Sequence, residues 1–266
     1  MALLITERAV RDRRRGVVGW AVGLALYVAI MASVYPAIQN SDMQRAIRHY
    51  PEQLKAFFGG AQSFDFSTGA GYLNVELFSL VVPALLVVVA IAFGAATLAG
   101  EQETGTLDLL LANPVSRRRV VLEKVLGLVA TVLVLAAVIA GSVLLTGVFV
   151  DLGVDAAHVG IASLGAALLA SLTGLLAMLV GAATGRHSLA LGIPAAVFVA
   201  SYLMMGLAGL VESLHSLRLA SPFYHANGTT PLKNGLPIAN YGILLAACVV
   251  LLGVTVTVFE RRNLAR

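Results

Sequence analysis

Three lysines, five histidines, one cysteine and fourteen acids are most of what this 266-residue chain offers for chemistry. A phosphate-binding loop needs a lysine followed by Ser or Thr, because the lysine holds the β/γ-phosphates and the hydroxyl holds Mg²⁺. Lys55, Lys124 and Lys233 are followed by Ala56, Val125 and Asn234. None fits, so any ATP used in the protein's work must be hydrolysed by a partner. A serine nucleophile needs a neighbouring base, and the apolar stretches hold no histidine at depth and no G-x-S-x-G. His215 and His225 are spaced ten residues apart without companion ligands, too sparse for a zinc site. Asn227-Gly228-Thr229 matches the glycosylation triplet, which chance explains as well. Cys248 reads as a small apolar core residue.

The densest group of functional side chains runs from Gly100 to Arg119: Glu101, Gln102, Glu103, Thr104, Gly105, Thr106, Leu107 and Asp108, then leucines, Asn113-Pro114-Val115-Ser116 and three arginines. Gly105 breaks a preceding helix. Thr106 can cap a new one, and Asp108 suits its positive end. Leu107, Leu110 and Leu111 share a face at helical spacing, and Pro114 ends the helix by restricting the residue before it. The result is a short amphipathic helix headed by carboxylates and tailed by arginines. It has the form of a docking element, or of an interfacial anchor for the loop.

The elements that hold this segment are set by composition. Hydrophobic residues make up 59% of the chain and charged residues 12%, against about 25% charged in soluble domains. Disorder is excluded by the apolar content, and a disulfide-stapled module by the single cysteine. The apolar runs are continuous, which an outer-membrane barrel's alternating strands would not give. Six runs can cross a hydrocarbon layer of roughly 30 Å: Gly16 to Ile38, Leu77 to Ala99, Val120 to Val150, Gly160 to Thr184, Leu189 to Val211 and Pro237 to Phe259. The expected fold is all-α, a polytopic membrane protein forming one transmembrane domain over residues 1–266. The first run exceeds a signal peptide's apolar stretch and lacks a clear cleavage site, so it is read as an uncleaved helix.

Six spans put both termini on one side. That side carries thirteen basic residues, in segments 1–15, 100–124, 186 and 261–266, and the other carries five. By the positive-inside rule the termini are cytoplasmic in a cell membrane. The net charge of +4 is therefore an orientation signal, and nucleic acid is not expected as a partner. No Asp, Glu, Lys, Arg or His falls in the central parts of the spans, which disfavours a proton- or sodium-coupled carrier. Ser33, Thr97, Thr131, Ser142, Thr146, Ser171, Thr173, Ser201 and Thr255 are expected to satisfy nearby carbonyls or bond between helices. Gly19 with Gly23, and Gly181 with Gly185, are spaced for close helix packing. Pro83 and Pro194 are expected to kink their spans. On the outer side, Ser41 to Phe58 reads as an amphipathic helix, split at Pro51 and ended by Gly59-Gly60.

The run from Glu101 to Arg117, Glu-x-x-x-Gly-Thr-Leu-Asp-x-Leu-Leu-Ala-x-Pro-Val-Ser-Arg, closely resembles the connector of permease subunits of ABC-2 type ATP-binding cassette transporters. The arginine-rich start before Trp20, the outer run Tyr50 to Gly60 and the six-helix layout agree with it. The resemblance implies a non-catalytic permease subunit that pairs with a second copy or a sister permease, among membrane lipids. It also implies cytoplasmic ATPase subunits that bind ATP and Mg, with no cofactor in this chain. Carried over residue by residue, it assigns ATPase coupling to Glu101, Glu103, Gly105, Thr106, Leu107, Leu110, Pro114 and Arg117. It further implies that Leu3 to Arg15 lies along the inner surface as an elbow. The expected function is export of a lipophilic or amphipathic compound by alternating access. The alternative is a non-transporting subunit that passes ATPase-driven movement to an outer-face partner.

Overall fold

The computed structural model describes residues 4–39, 66, 68–105 and 116–261, with the backbone alone for 4–14, 39 and 212–215. Among these residues there is no strand, and six helices are long and apolar enough to cross a membrane. They are α1 (Leu4–Gln39), α2 (Gly69–Glu103), α3 (Arg117–Val150), α4 (Ala156–Thr184), α5 (His187–Leu210) and, after short α6 (Pro222–Asn227) and α7 (Pro231–Asn234), α8 (Ile238–Arg261).

Five of the six spanning helices begin earlier than the apolar runs, because polar caps fix helix ends while hydropathy marks only the membrane. Thr68 Oγ1 accepts from Gly71 N–H at 3.1 Å, starting α2 eight residues before the expected Leu77. Asp155 Oδ1 accepts from His158 N–H at 3.1 Å and starts α4 at Ala156 rather than Gly160. The segment expected as an elbow, Leu3 to Arg15, is helical from Leu4 and runs into the first span as one element, α1. No proline or glycine interrupts Leu4 to Arg15, and Ala and Arg favour helix. The outer amphipathic segment Ser41 to Phe58 lies outside the described residues.

α2 is built in pieces. A π turn over Asn74–Phe78 precedes Val81–Ala95, a second over Ala96–Gly100 precedes the last turn, Glu101–Glu103, and Leu80 breaks the ladder with φ −152° and ψ −48°. Pro83 stands in the first turn after that break, where no backbone donor is required of it. Pro194 stays inside α5.

α4 is the central helix, packed against α2, α3, α5 and α8. Its contact with α2 is the tightest because glycines face each other. A Cβ on Gly94 would stand 2.3 Å from the Gly174 carbonyl oxygen, and one on Gly174 would stand 3.0 Å from the Ala90 oxygen. Gly181 also meets α2, with Ala99 3.3 Å from its hypothetical Cβ. Gly185 closes α4 with φ +67°, its N–H donating to Gly181 O at 2.8 Å. The glycine face of α1 is different: Gly19 and Gly23 have nothing within 4 Å, because α1 packs on α3 through Leu24, Val28 and Ala32. Gly94→Ala should therefore cost about 1–3 kcal/mol, while Gly19→Ala stays within roughly 0.5 kcal/mol. Thermal unfolding in detergent compares them, and equal midpoints would refute the packing argument.

At the end away from residues 104–116, the segment after α5 folds back onto the bundle. Phe223 is fully buried against α5, its ring 5.2 Å from Tyr202. Ser221 Oγ donates to Ser201 O at 2.8 Å, and Phe223 N–H donates to Ser201 Oγ at 2.9 Å. Asn227 Nδ2 donates to Phe78 O at 2.7 Å, tying this cap to the first π turn of α2. The amide of the glycosylation triplet is thus engaged inside the fold. Tyr241 of α8 reaches Ile161 O at 2.8 Å. Cys248 is buried, as a core residue would be.

Candidate coupling site at the connector

The end of α2 that leads into the connector is held from two sides. Lys124 projects from the second turn of α3 and is 2% exposed. Its ammonium donates to Thr97 O at 2.7 Å and forms an ion pair with Glu101. Thr97 lies in the second π turn, where the helical ladder is reshuffled and Glu101 N–H bonds back to Leu98 O. The carbonyl and the carboxylate together satisfy a cation that burial would otherwise make costly.

One turn before Lys124, Arg119 Nε donates to Glu123 Oε1 at 2.8 Å. Glu123 is 8% exposed, and among the described residues its Oε2 has no hydrogen-bond partner. Ser116 caps α3 by accepting from Arg119 N–H at 3.4 Å, and Arg117 is the first residue of the helix.

Glu103 binds a different helix. Its Oε1 accepts from His187 N–H at 2.8 Å, across 84 residues of sequence. His187 is the first residue of α5, whose preceding Arg186 gives no side-chain cap. Glu103 therefore caps α5 from outside, placing a carboxylate at a positive helix end. Thr104 continues the last turn of α2, its N–H donating to Gly100 O at 3.1 Å. Gly105 then takes φ +70° and donates to Gln102 O at 3.1 Å, turning the chain out of the helix. That conformation is cheap for glycine and strained for any residue with a Cβ.

Of the residues assigned to coupling, Glu101, Glu103 and Gly105 are brought together at the end of α2, and Arg117 opens α3 across the connector. Thr106, Leu107, Leu110 and Pro114 lie outside the described residues. The two carboxylates expected to head a docking helix are engaged within the subunit, one to α3 and one to α5. Sequence reasoning did not single out Lys124, Glu123 or His187. Lys124 had a signal, being a lysine set between Val120-Val121-Leu122 and Val125-Leu126. His187 had none, because it contributes its backbone.

No group of three or more metal-ligating side chains is found among the described residues. His225 is buried, with Nε2 2.8 Å from Leu219 O and Nδ1 3.3 Å from Asn240 Oδ1, which occupies both ring nitrogens in the fold.

Comparison with curated proteins finds no match. The family model described as ABC-2 family transporter protein matches residues 3–264. With six helices long and apolar enough to cross a membrane and a family match over residues 3–264, this is the membrane-embedded permease of a transporter, and the chain belongs to the ABC-2 transporter family.

Proposed function

We propose that this permease exports a lipophilic or amphipathic compound, driven by ATP hydrolysis in separate cytoplasmic ATPase subunits that dock on the connector. The ATP and its Mg are bound by those partners, and this chain contributes no catalytic group. Two such permeases, identical or sister chains, form the pathway, and both termini and the connector face the cytoplasm.

The observation that carries this reading is the double tie at the end of α2. Because Glu101 binds α3 and Glu103 binds α5, a force on the connector is delivered to three transmembrane helices together. That is what a docking partner needs if its closure is to change which side a cavity faces. Nucleotide can shift that equilibrium only through its different effect on the two states. The arginines at the start of α3 support the orientation. Arg117, Arg118 and Arg119 sit at a positive helix end, where each cation is disfavoured by about 0.3–1 kcal/mol. A nearby anionic surface, such as the inner leaflet's headgroups, offsets that cost.

Reconstitution with the ATPase subunit in inside-out vesicles tests the proposal. ATP-dependent accumulation of a lipophilic dye is expected, lost when the ATPase's phosphate-loop lysine is replaced. Accumulation that is driven equally well by a proton gradient without ATP would contradict it.

A further inference from the structure

The second π turn of α2 has a side chain where a regular helix has a backbone donor. In an α-helix Thr97 O would accept from Glu101 N–H, four residues on. Here that N–H donates to Leu98 O, and the place at Thr97 O is taken by the Lys124 ammonium at 2.7 Å. Two donors thus compete for one carbonyl. The ammonium prevails because it is 2% exposed and has to be satisfied inside the protein, and because a charged donor makes a hydrogen bond roughly twice as strong as a neutral amide does. With Lys124 seated, Ala96–Gly100 keeps the wider i to i+5 spacing, which holds one residue more than an α turn.

The two sides of this turn are held unequally. As far as Ala99 the helix is clamped: Gly94 lies against the Gly174 carbonyl, Ala99 lies against Gly181, and the Thr97 hydroxyl donates to Gly94 O at 2.9 Å. Beyond it Glu101 and Gln102 are half-buried, Glu103 and Thr104 are exposed, and Gly105 turns the chain away at φ +70°. If Glu101 N–H took back Thr97 O, the rotation would therefore fall on the piece after the turn, about 100° for one residue at 3.6 per turn. Glu101 and Glu103 both ride on that piece. Such a rotation carries the first off Lys124 and the second off His187 N–H in one step.

We propose that Lys124 is a positioning residue that sets the register of α2. Seated on Thr97 O, it keeps the π turn and both carboxylate ties. Withdrawn from it, the turn closes to α and both ties open together. The two arrangements are discrete, as a conformational switch requires. That nucleotide drives the exchange rests on the permease reading, whereas the register itself does not.

Thr104 and Arg186 are exposed, so nitroxides on Thr104→Cys and Arg186→Cys, in a Cys248→Ser background, report the spacing between the end of α2 and the start of α5. The full chain in nanodiscs is measured by dipolar electron paramagnetic resonance, first without ATPase. Lys124→Met should shift the spacing by about 5 Å or more, because the label swings through about 100°. Lys124→Leu is expected to give the same shift and takes its place should the first variant not fold. Removing Gly100 from the shifted variant takes out the extra residue of the turn, so an α register brings Glu103 back to His187 and the spacing of the unaltered chain should return. Loss of a buried ion pair alone would not be repaired by a deletion. An unshifted spacing in the apolar variant, or one that stays shifted after Gly100 is removed, would overturn the proposal. An unaltered chain whose spacing ignores added ATPase with ATP and vanadate, while the variants keep the expected order, would count against the permease reading alone.

Discussion

Exchanging Glu103 for arginine should reduce ATP-driven transport on the order of tenfold or more while the subunit still inserts and folds. The reason is local. Glu103 is exposed apart from its bond to His187 N–H, so its loss opens no cavity in the bundle. The substitution removes the cap of α5 and sets a cation against a positive helix end. α5 then loses its tie to the connector, and movement of the connector is no longer shared with it. Glu103→Gln separates two roles for this side chain. Its amide oxygen can still accept from His187 N–H, so transport is expected to stay within about threefold of the unaltered subunit if the tie to α5 is what matters. If the charge itself is needed at the ATPase surface, Glu103→Gln will fail as badly as Glu103→Arg. Transport and ATPase stimulation measured together on the two variants decide the matter.

The buried ion pair predicts an asymmetry in stability. Glu101→Ala takes the carboxylate away from the Lys124 ammonium, whose side chain is 3% exposed, so a loss of about 3 kcal/mol is expected. Lys124→Met should cost less, because the Glu101 side chain left behind is 31% exposed and water can reach it. Removing both charges, as Glu101→Leu with Lys124→Met, should recover most of the loss, since hydrophobic replacement of a buried pair is often neutral. Thermal unfolding of the three variants in detergent measures this order. If Lys124→Met were the least stable of the three, the assignment of Lys124 as the buried partner would be wrong.

The sequence carried the six spans plainly, because runs of twenty apolar residues have few other uses. Helix ends were less legible, since Thr68 and Asp155 sit in polar stretches that hydropathy does not resolve. That shift moves Glu76 out of the loop, where it falls when α2 is started at Leu77, and into the first π turn of the helix. Close packing was legible in kind but misplaced in part. Gly19 and Gly23 have the expected spacing yet face open space, while the tight crossing uses Gly94 and Gly174. Each of those lies four residues after an alanine, so counting Ala90-x-x-x-Gly94 and Ala170-x-x-x-Gly174 as small pairs would have found the contact. The connector was legible as a motif, with Gly105 ending the helix where its type suggests. The partners of its carboxylates were not. Lys124 lies 23 residues from Glu101 and His187 lies 84 from Glu103, and no local pattern links such positions.

Export as proposed depends on an ATPase docking at the connector, and site-specific photo-crosslinking probes that contact. A benzoylphenylalanine at Leu110 or Leu107, with the same probe at Leu54 as control, is irradiated in membranes that contain the ATPase subunit. An adduct with the ATPase is expected from positions 110 and 107, and none from position 54. Adducts from position 54, or none from the connector while the complex still hydrolyses ATP and transports, would contradict it.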